Sequence, residues 1–299
     1  MPTGVGPSSL RRGPYAPAVD VIRAHGTGND FVVLVDDDGT RRLSADLTRA
    51  LCDRRTGVGA DGAIRVAPDG AGGVVMDHRN ADGSLAGMCG NGVRVTALVA
   101  LRTGLVGADA ARVPVAALAG PRPVEVLRDG DGAPTAFRVA MGAAERDPAA
   151  VPFDPGAGRT DLGGRWHLED VAAAFDVVSM GNPHAVVLVE DVASAPLDTV
   201  GADLQAHPAF PEGVNVGMVA VSAPDRVALR VLERGVGETA ACGTGACAAV
   251  VSLHARGLVG DRVAVSLPGG SLTVEVGPGG VVLEGPAEVV GTVALDPDW

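Results

Sequence analysis

Two cysteines of the chain lie in glycine-rich turns, each just before a helix-like run. Cys242 opens CGTG within ACGTGACA (241–248), and Cys89 opens CGNG within MCGNGVR (88–94). Turns of this type suit three kinds of chemistry. They can cradle a phosphate, supply a pair of thiols for redox or metal binding, or present a thiol that exchanges a proton with a substrate. The rest of the sequence discriminates between these three.

The turns themselves favour anion binding. The first N–H groups of a helix have no partner within the helix and carry the positive end of its dipole, and glycine lets a ligand approach that backbone closely. Either a phosphate or a carboxylate would satisfy such a site. The positive end of the helix dipole is also expected to lower the pKa of a nearby cysteine from about 8.5 toward neutrality, which makes a thiolate accessible.

Two such turns across a cleft predict proton transfer at a carbon beside a carboxylate. One thiolate would remove the proton, and the opposite thiol would supply a proton to the other face. The carboxylate would lie on both helix N-termini, where the charge of an enolate-like intermediate is stabilised. Inversion at that carbon follows, and the reaction needs no cofactor.

An internal repeat pairs the two turns. Cys89 and Cys242 are 153 positions apart, and the same offset separates Asn29 in HGTGNDF from Asn182 in GNPH. It also separates Asn80 from Glu233, each nine residues before its cysteine. Three matches at one offset indicate two copies of a unit of about 150 residues. We therefore expect two pseudo-symmetric domains with the active site in the cleft between them.

The competing interpretations of the cysteines are weaker. Cys242 and Cys247 fit the C-x₂₋₄-C spacing of a zinc site, but the six histidines include no H-x₃₋₅-H pair, so we predict no metal. Cys247 falls a turn or more inside the helix, where a thiol packs in the core, and Cys52 in TRALCD has the same interpretation. GVGADG (57–62) fits the dinucleotide fingerprint poorly.

Composition narrows the class of ligand. The chain of 299 residues is 46% hydrophobic and carries a formal charge of −12, which argues against a nucleic-acid or anionic-membrane surface and favours small-molecule partners. All 24 residues of the Lys+Arg count are arginine. Without lysine the chain can neither hold pyridoxal phosphate as a Schiff base nor form a P-loop. Four cysteines are too few for a disulfide framework, which predicts a cytoplasmic protein.

The pattern of elements indicates an α+β fold. Short β-branched runs recur between Gly, Pro and Asp, as in FVVLVD and AVVLVE, and predict many strands. Helices are predicted at about 44–55, 91–103, 168–174 and 243–256. Residues 1–20, rich in Pro, Gly and Ser, are expected to be a disordered extension, and 143–165 a surface loop.

Five motifs together resemble the diaminopimelate epimerase family, from about residue 21 onward. They are HGTGNDF (25–31), RNADGSLAGMCGNGVR (79–94), GNPH (181–184), EGVNV (212–216) and ERGVGETAACGTGA (233–246). The resemblance implies two similar domains, each a curled mixed β-sheet around a central helix. It places the first domain at 21–140, completed by a return strand at 289–299, and the second at 141–288.

The resemblance also implies roles for residues of the reaction centre. Cys89 and Cys242 become the acid/base pair. The backbone that holds the reacting carboxylate belongs to Gly90, Asn91, Gly243 and Thr244. His184 either orients Asn182, tunes Cys89 or is structural.

The family's substrate carries a second amino-acid head, for which the resemblance implies further contacts. Its distal carboxylate would bind Asn80, Asn215 and Arg234, and an ammonium would contact Glu233. Asn29 and Asn182 would complete the pocket. Whether Asp61 or Gly62 contacts the substrate stays open, because some relatives have a glutamine in this region.

The implied function is cofactor-independent interconversion of L,L- and meso-diaminopimelate, a step toward lysine and peptidoglycan precursors. The nearest alternative is a racemase or epimerase of proline or hydroxyproline. A thiol redox or metal-binding module is the alternative from a different class. A homodimer is the oligomeric state that we consider.

Overall fold

The computed structural model describes residues 20–296. The predicted extension at 1–20 therefore lies outside the described residues, apart from Asp20, which begins the first strand. Four α-helices are present: α1 (Ala45–Cys52), α2 (Gly90–Thr103), α3 (Leu197–Ala206) and α4 (Gly243–Ala255). A short 3₁₀ turn spans Pro155–Ala157.

Twenty strands accompany these helices in the described residues. In chain order they are β1 (Asp20–Gly26), β2 (Asn29–Val35), β3 (Gly62–Pro68), β4 (Val74–Asn80), β5 (Arg112–Val113), β6 (Val115–Ala117), β7 (Gly120–Pro121), β8 (Val124–Arg128), β9 (Pro134–Gly142), β10 (Arg159–Thr160), β11 (Trp166–His167), β12 (Asp176–Ser179), β13 (Pro183–Leu188), β14 (Asn215–Ala223), β15 (Arg226–Glu233), β16 (Gly237–Thr239), β17 (Arg262–Leu267), β18 (Gly270–Gly277), β19 (Gly280–Gly285) and β20 (Glu288–Ala294).

The strands form two large mixed sheets, which confirms the predicted α+β class. The smaller sheet has the order β20-β1-β2-β3-β4-β6-β7, and the larger has the order β12-β13-β14-β15-β17-β18-β19-β9-β8-β5, with β16 paired to β15. Strands β10 and β11 form a separate hairpin. Each large sheet contains both parallel and antiparallel pairs, for example β2 with β3 and β1 with β2.

A central helix belongs to each sheet, as predicted. Helix α2 is buried from Gly90 to Leu101, and α4 from Gly243 to Leu253. A helix that is buried on every side needs packing partners all around it, and a curled sheet supplies them. Both helices contribute to one continuous hydrophobic core together with strands of both sheets.

The repeat predicted from the sequence extends to the pairing of the strands. The parallel pair β2–β3 aligns Phe31 with Gly62, and the parallel pair β13–β14 aligns His184 with Asn215. Both residues of the second pair lie 153 positions after those of the first. The order β2, α1, β3, β4, α2 therefore recurs as β13, α3, β14, β15, α4.

Chain connectivity links the sheets in two further places. Strand β20 pairs antiparallel with β1, so the end of the chain returns to the smaller sheet. Strand β8 precedes the predicted hinge at 141 and β9 runs across it, and both belong to the larger sheet, where β9 pairs with β19 and β8 with β9. The division of the chain at 140–141 stays a prediction.

Three of the four predicted helices are confirmed, and one is wrong. Residues 168–174 form turns and bends, and their apolar residues Leu168 and Val171 pack into a second core. Helix α3 was not predicted from its own sequence. The repeat could have located it, because shifting α1 by 153 positions gives 198–205.

The segment 143–165 is not entirely a surface loop. Val151 and Phe153 are 2% and 5% exposed and belong to the second core. The ring of Phe153 lies 4.9 Å from that of Trp166 and 5.0 Å from that of Phe210. Buried aromatic contacts of this kind anchor a connection that would otherwise be mobile.

Within residues 20–296, no helix is long and apolar enough to cross a membrane.

A glycine at the junction of the two halves gives a testable prediction. A Cβ atom on Gly269 would collide with the carbonyl oxygens of Thr27 and Ala240, whereas one on Gly277 would meet nothing within 4 Å. We expect Gly269→Ala to lower the free energy of unfolding by about 1–3 kcal/mol, as measured by urea denaturation. Gly277→Ala is the matched control, and equal stability of the two variants would contradict the packing described.

Candidate active site

Each cysteine of the repeat is the N-cap of a central helix. Cys89 precedes α2 with extended backbone, and its Sγ accepts the N–H of Gly92 at 3.3 Å. Cys242 precedes α4 in the same way, and its Sγ accepts the N–H of Gly245 at 3.3 Å. The matching geometry follows from the shared Cys-Gly-x-Gly sequence, because the cap residue bonds the third amide of its helix.

The two helices begin side by side. A Cβ atom on Gly243 would lie 3.8 Å from Cα of Gly90, and Cβ atoms on Gly90 and Gly243 would lie only 2.7 and 2.9 Å from Cδ2 of Leu283. A larger residue at either position would therefore force the Leu283 side chain to shift. The first intrahelical bonds are made by Val93 and Ala246, which leaves the amides of the first two residues of each helix without a partner inside the helix.

Twin hydrogen bonds support the two turns. The Asn91 amide donates to Oδ1 of Asn29 at 3.2 Å, and the Asn182 amide donates to Oγ1 of Thr244 at 3.3 Å. Asn29 and Asn182 are one pair of the repeat, and Asn91 and Thr244 are another. Asn91 also donates to the carbonyl of Ala241 at 3.0 Å. That bond joins α2 to the residue before Cys242.

A chain of polar groups leads from His184 to the second cysteine. Nε2 of His184 lies 3.1 Å from Oδ1 of Asn182, and Oγ1 of Thr244 lies 3.5 Å from Sγ of Cys242. Burial, with the charge of Arg234, lowers the pKa of His184 to about 3. The imidazole is therefore neutral at physiological pH, and it is placed to orient Asn182.

A cavity of about 270 Å³ adjoins these turns. Seven of the residues predicted from the sequence line it: Asn29, Asn80, Cys89, Asn182, Asn215, Glu233 and Arg234. The other predicted residues are buried next to the helix starts: Gly90, Asn91, His184, Cys242, Gly243 and Thr244. A larger depression of about 570 Å³ over residues 156–171 contains none of the predicted residues. We place the candidate active site in the smaller cavity, because seven of the predicted site residues line it.

Glu233 ends β15 and is held by a residue that sequence reasoning missed. Oγ1 of Thr239 donates to Oε1 of Glu233 at 2.6 Å. Burial raises the pKa of Glu233, and the Thr239 hydroxyl partly offsets this rise. The position of Thr239 in ERGVGETAACGTGA, between Glu233 and Cys242, was the available signal.

Arg234 is an exposed residue that lines the cavity. Nη1 donates to the carbonyl of Glu212 at 2.6 Å, and within residues 20–296 no carboxylate lies within ion-pair distance of this guanidinium. Asn215 has both ends of its amide engaged, since Nδ2 donates to the Pro183 carbonyl and Oδ1 accepts the Arg234 N–H, each at 3.0 Å. In this arrangement Asn215 fixes the backbone of Arg234.

The expected lowering of the cysteine pKa values is wrong for the ligand-free protein. Burial raises the pKa of Cys89 to about 11, and the charge of Glu233 adds to the rise. The pKa of Cys242, which is 4% exposed, is raised well above its usual value by the same two causes. Desolvation outweighs the helix N-terminus here, so both groups are thiols before a ligand binds.

Gly62 and Asp61, either of which was considered as a substrate contact, have different surroundings. A Cβ atom on Gly62 would lie 2.8 Å from the Arg79 carbonyl, so a larger side chain does not fit without rearrangement. Asp61 lines the cavity instead, and its carboxylate accepts the Asn29 amide and an Arg54 N–H, each at 2.8 Å. His78 is a second lining residue that sequence reasoning missed.

The other two cysteines are buried, as predicted. Cys52 is 4% exposed and Cys247 is 0% exposed, and burial raises the pKa of each to about 12. All four cysteines are unpaired. In the part of the chain that the structure describes, no cluster of three or more His, Cys, Asp or Glu side chains is arranged to hold a metal ion.

Solved structures define the class of fold to which this chain belongs. A PhzF-family phenazine biosynthesis protein from Bacillus anthracis superposes with a TM-score of 0.68 at 14% identity, covering 94% of this chain and 100% of that one. A hydroxyproline epimerase from Agrobacterium vitis gives a TM-score of 0.63 at 18% identity, with 96% and 94% covered. The chain is therefore a two-lobed α+β protein of this structural group.

Sequence comparison identifies the family within that group. The chain belongs to the diaminopimelate epimerase family, whose profile matches residues 21–146 and 176–290. It is 45% identical over 283 residues to the diaminopimelate epimerase of Xanthomonas euvesicatoria, covering 93% of this chain and 95% of the relative. The family is one of isomerases, and the resemblance in the five motifs is confirmed.

The thiol environment gives a testable prediction. Glu233→Gln removes a negative charge that raises the pKa of Cys89, so the thiolate fraction at pH 8 should increase. A fall of about half a unit in the pKa raises the rate of alkylation by iodoacetamide roughly threefold. The rate is measured by mass spectrometry of the Cys89 peptide.

Glu238→Gln is the matched control, because Glu238 pairs with Arg230 at 2.8 Å on the neighbouring strand. It should leave the alkylation rate unchanged. A Glu233→Gln protein that reacts no faster than the parent would contradict the electrostatic link between Glu233 and Cys89.

Proposed function

We propose that the chain interconverts L,L- and meso-diaminopimelate by proton transfer between two cysteines and one α-carbon. The observation that carries the proposal is the pair of cysteine-capped helices, α2 and α4, which begin side by side at one cavity. Membership of the family and the 45% identity to a named diaminopimelate epimerase support the choice of substrate.

In the proposed reaction the enzyme gains one proton and gives up another. One sulfur, as thiolate, takes the α-proton, and the electron pair of the C–H bond moves into the carboxylate as an enolate. The other sulfur then gives its proton to the opposite face of the carbon. The configuration is inverted, and the two sulfurs have exchanged protonation states.

The helix starts supply the electrostatic stabilisation. We assign the reacting carboxylate to the free amides of Gly90, Asn91, Gly243 and Thr244, where two dipoles converge on the charge of the intermediate. Asn29 and Asn182 support these turns through their bonds with Asn91 and Thr244. His184 acts through Asn182 as a neutral hydrogen-bond partner.

The distal head of the substrate requires charges on the opposite wall. Arg234 suits a carboxylate, which a guanidinium grips with two parallel hydrogen bonds, and Asn80 also lines the cavity. Glu233 suits an ammonium. We assign Asn215 to positioning Arg234 rather than to direct binding, because the amide of Asn215 is already engaged.

Substrate binding would also favour the catalytic base, a thiolate. Both thiols are protonated in the ligand-free cavity, and the charge of Glu233 contributes to this. A substrate ammonium that pairs with Glu233 cancels part of that charge, which lowers the pKa of both cysteines. One thiol would therefore release its proton to solvent when a zwitterionic substrate binds, and the resulting thiolate is the base of the next step.

The proposed reaction also carries expectations about cofactors, cellular location and partners. No cofactor is needed, and the absence of lysine from the sequence agrees with that. We expect a cytoplasmic enzyme of lysine and peptidoglycan precursor synthesis that acts on a small molecule, with a homodimer as the assembly to test. Nucleic acid and membrane partners are not expected of an acidic chain.

The leading test is exchange of the α-proton. Purified protein with no added cofactor should incorporate deuterium from D₂O into diaminopimelate, as measured by mass spectrometry. Cys89→Ala and Cys242→Ala should each lower kcat by about 10²–10⁴-fold, since each removes one acid/base group. Cys52→Ala is the control and should retain near-parental activity. Full activity in the Cys89/Cys242 double variant would refute the mechanism and favour a redox or binding role for the thiols.

Substrate discrimination separates the proposal from its nearest rival. Arg234→Gln should lower kcat/KM for diaminopimelate by about 10- to 100-fold, because a hydrogen-bonded charge pair is lost. The parent protein is assayed in parallel with proline and hydroxyproline, which lack the distal head. Faster turnover of either cyclic amino acid than of diaminopimelate would instead identify the protein as a proline-type racemase.

A further inference from the structure

Among the described residues, Arg94 is a buried cation without a counter-ion. Arg94, in the second turn of α2, is 0% exposed, and between residues 20 and 296 no carboxylate lies within ion-pair distance of it. Its Nη1 has no hydrogen-bond partner among the described residues. Burying a charge in this way costs several kcal/mol. An arginine at this position therefore calls for a functional explanation.

The remaining donors of Arg94 join three separate segments. Nε donates to the carbonyl of Pro286 at 3.1 Å, between β19 and β20. Nη2 donates to Oγ1 of Thr27 at 3.1 Å and to Oδ1 of Asn91 at 3.0 Å. A Cβ atom on Gly26 would lie 3.1 Å from Nη2, so the backbone of β1 is shaped around the guanidinium.

Thr27 adopts a conformation that its side chain disfavours. Its φ is +56°, and it is the one residue other than glycine with positive φ in the described part of the chain. A β-branched residue in this region is strained, and such strain persists where surrounding structure enforces it. The hydroxyl of Thr27 is the group that Arg94 engages.

Asn91 transmits the position of Arg94 across the two halves of the molecule. Its Oδ1 accepts from Arg94, and its Nδ2 donates to Asn29 and to the carbonyl of Ala241. Ala241 is covalently bonded to Cys242. The guanidinium therefore fixes one end of the amide whose other end holds the second cysteine turn.

The charge of Arg94 has an electrostatic role as well. Burial lowers its pKa to about 10, so it stays charged at neutral pH. The ionisable groups that face it are Cys89 and Cys247. Two charges act on Cys89: Glu233 of β15 disfavours its thiolate, and Arg94 favours it. For Cys242 the charge that acts is that of Glu233.

We propose that Arg94 is a positioning residue for the proton transfer: it fixes the Asn91 amide, and through it the Cys242 turn, while its charge favours the thiolate of Cys89. The inference rests on the proposed function for its kinetic consequences. Its electrostatic part concerns the thiol alone, and is tested without a substrate.

The experiment compares two substitutions of Arg94 with a matched control. Arg94→Lys keeps the charge but loses the forked geometry, and Arg94→Met removes both. Arg128→Lys is the control, because Arg128 likewise donates three hydrogen bonds, to the carbonyls of Gly132, Ala108 and Ala110, and lies on a strand outside the cavity. Thr27→Gly removes the hydroxyl acceptor while relieving the backbone strain, so it should fold.

Three readouts are measured for each variant: epimerisation kinetics, thermal unfolding, and the pH dependence of Cys89 alkylation by iodoacetamide. Arg94→Lys should lose about 10- to 100-fold in kcat with little change in KM, as expected for misplaced groups. Its alkylation profile should stay near that of the parent. Arg94→Met should shift the profile upward by at most about half a pH unit, because Arg94 acts on Cys89 less strongly than Glu233 does. Thr27→Gly should lose kcat without loss of Tm, and Arg128→Lys should retain both kcat and the profile.

Parental kcat in both Arg94→Lys and Thr27→Gly would overturn the positioning role. An unshifted alkylation profile in Arg94→Met would overturn the electrostatic role. If Arg94→Met does not fold, the alkylation profile of the folded Arg94→Gln protein replaces it, with the same expected shift. Because alkylation needs no substrate, a parent protein inactive on diaminopimelate would refute the proposed function and leave the electrostatic role open to this measurement.

Discussion

The close approach of two helix N-termini is the constraint on which the structure depends. Two chains of peptide dipoles converge where Gly90 and Gly243 meet, and Leu283 closes the space around both. Glycine at both positions allows this approach without displacing Leu283. The approach buries polar groups that need partners. The cysteine caps, the Asn29–Asn91 and Asn182–Thr244 bonds and the Asn91–Ala241 bond supply those partners. The same burial makes both sulfurs thiols at rest.

Duplication of one unit accounts for a symmetric reaction centre with asymmetric recognition. The cap geometry is the same in both halves, with Sγ to N distances of 3.3 Å. The side chains around it differ at equivalent positions: Asn80 corresponds to Glu233, and Gly62 to Asn215. The first pair sets a neutral amide opposite a carboxylate. The proposed proton transfer needs two similar cysteine turns, and the repeat has kept them alike. Recognition of one end of a substrate needs different polar groups, and the repeat has diverged at those positions.

The periodicity and spacing of the sequence were sufficient to predict most helices and the two cysteine turns. They were not sufficient to predict burial or the pKa of the thiols. Cys89 and Cys242 could be predicted as helix caps because the Cys-Gly-x-Gly turn and the apolar run that follows are local features. The helix at 168–174 failed because the apolar residues Leu168 and Val171 are buried by tertiary packing around turns, which local patterns do not distinguish from helical burial. The thiol pKa was predicted with the wrong sign because desolvation depends on how the two halves close. The burial of Arg94 could not be predicted for the same reason, because it depends on the residues that pack around helix α2.

The pairing of β1 with β20 has a consequence for biosynthesis. These strands lie at opposite ends of the chain, yet they are neighbours in the smaller sheet. During translation the sheet keeps an open edge at β1 until β20 has left the ribosome, and Arg94 lacks the Pro286 carbonyl for the same interval. An unpaired strand edge is prone to wrong pairing. The first lobe is therefore completed only after the residues between β1 and β20 have been synthesised.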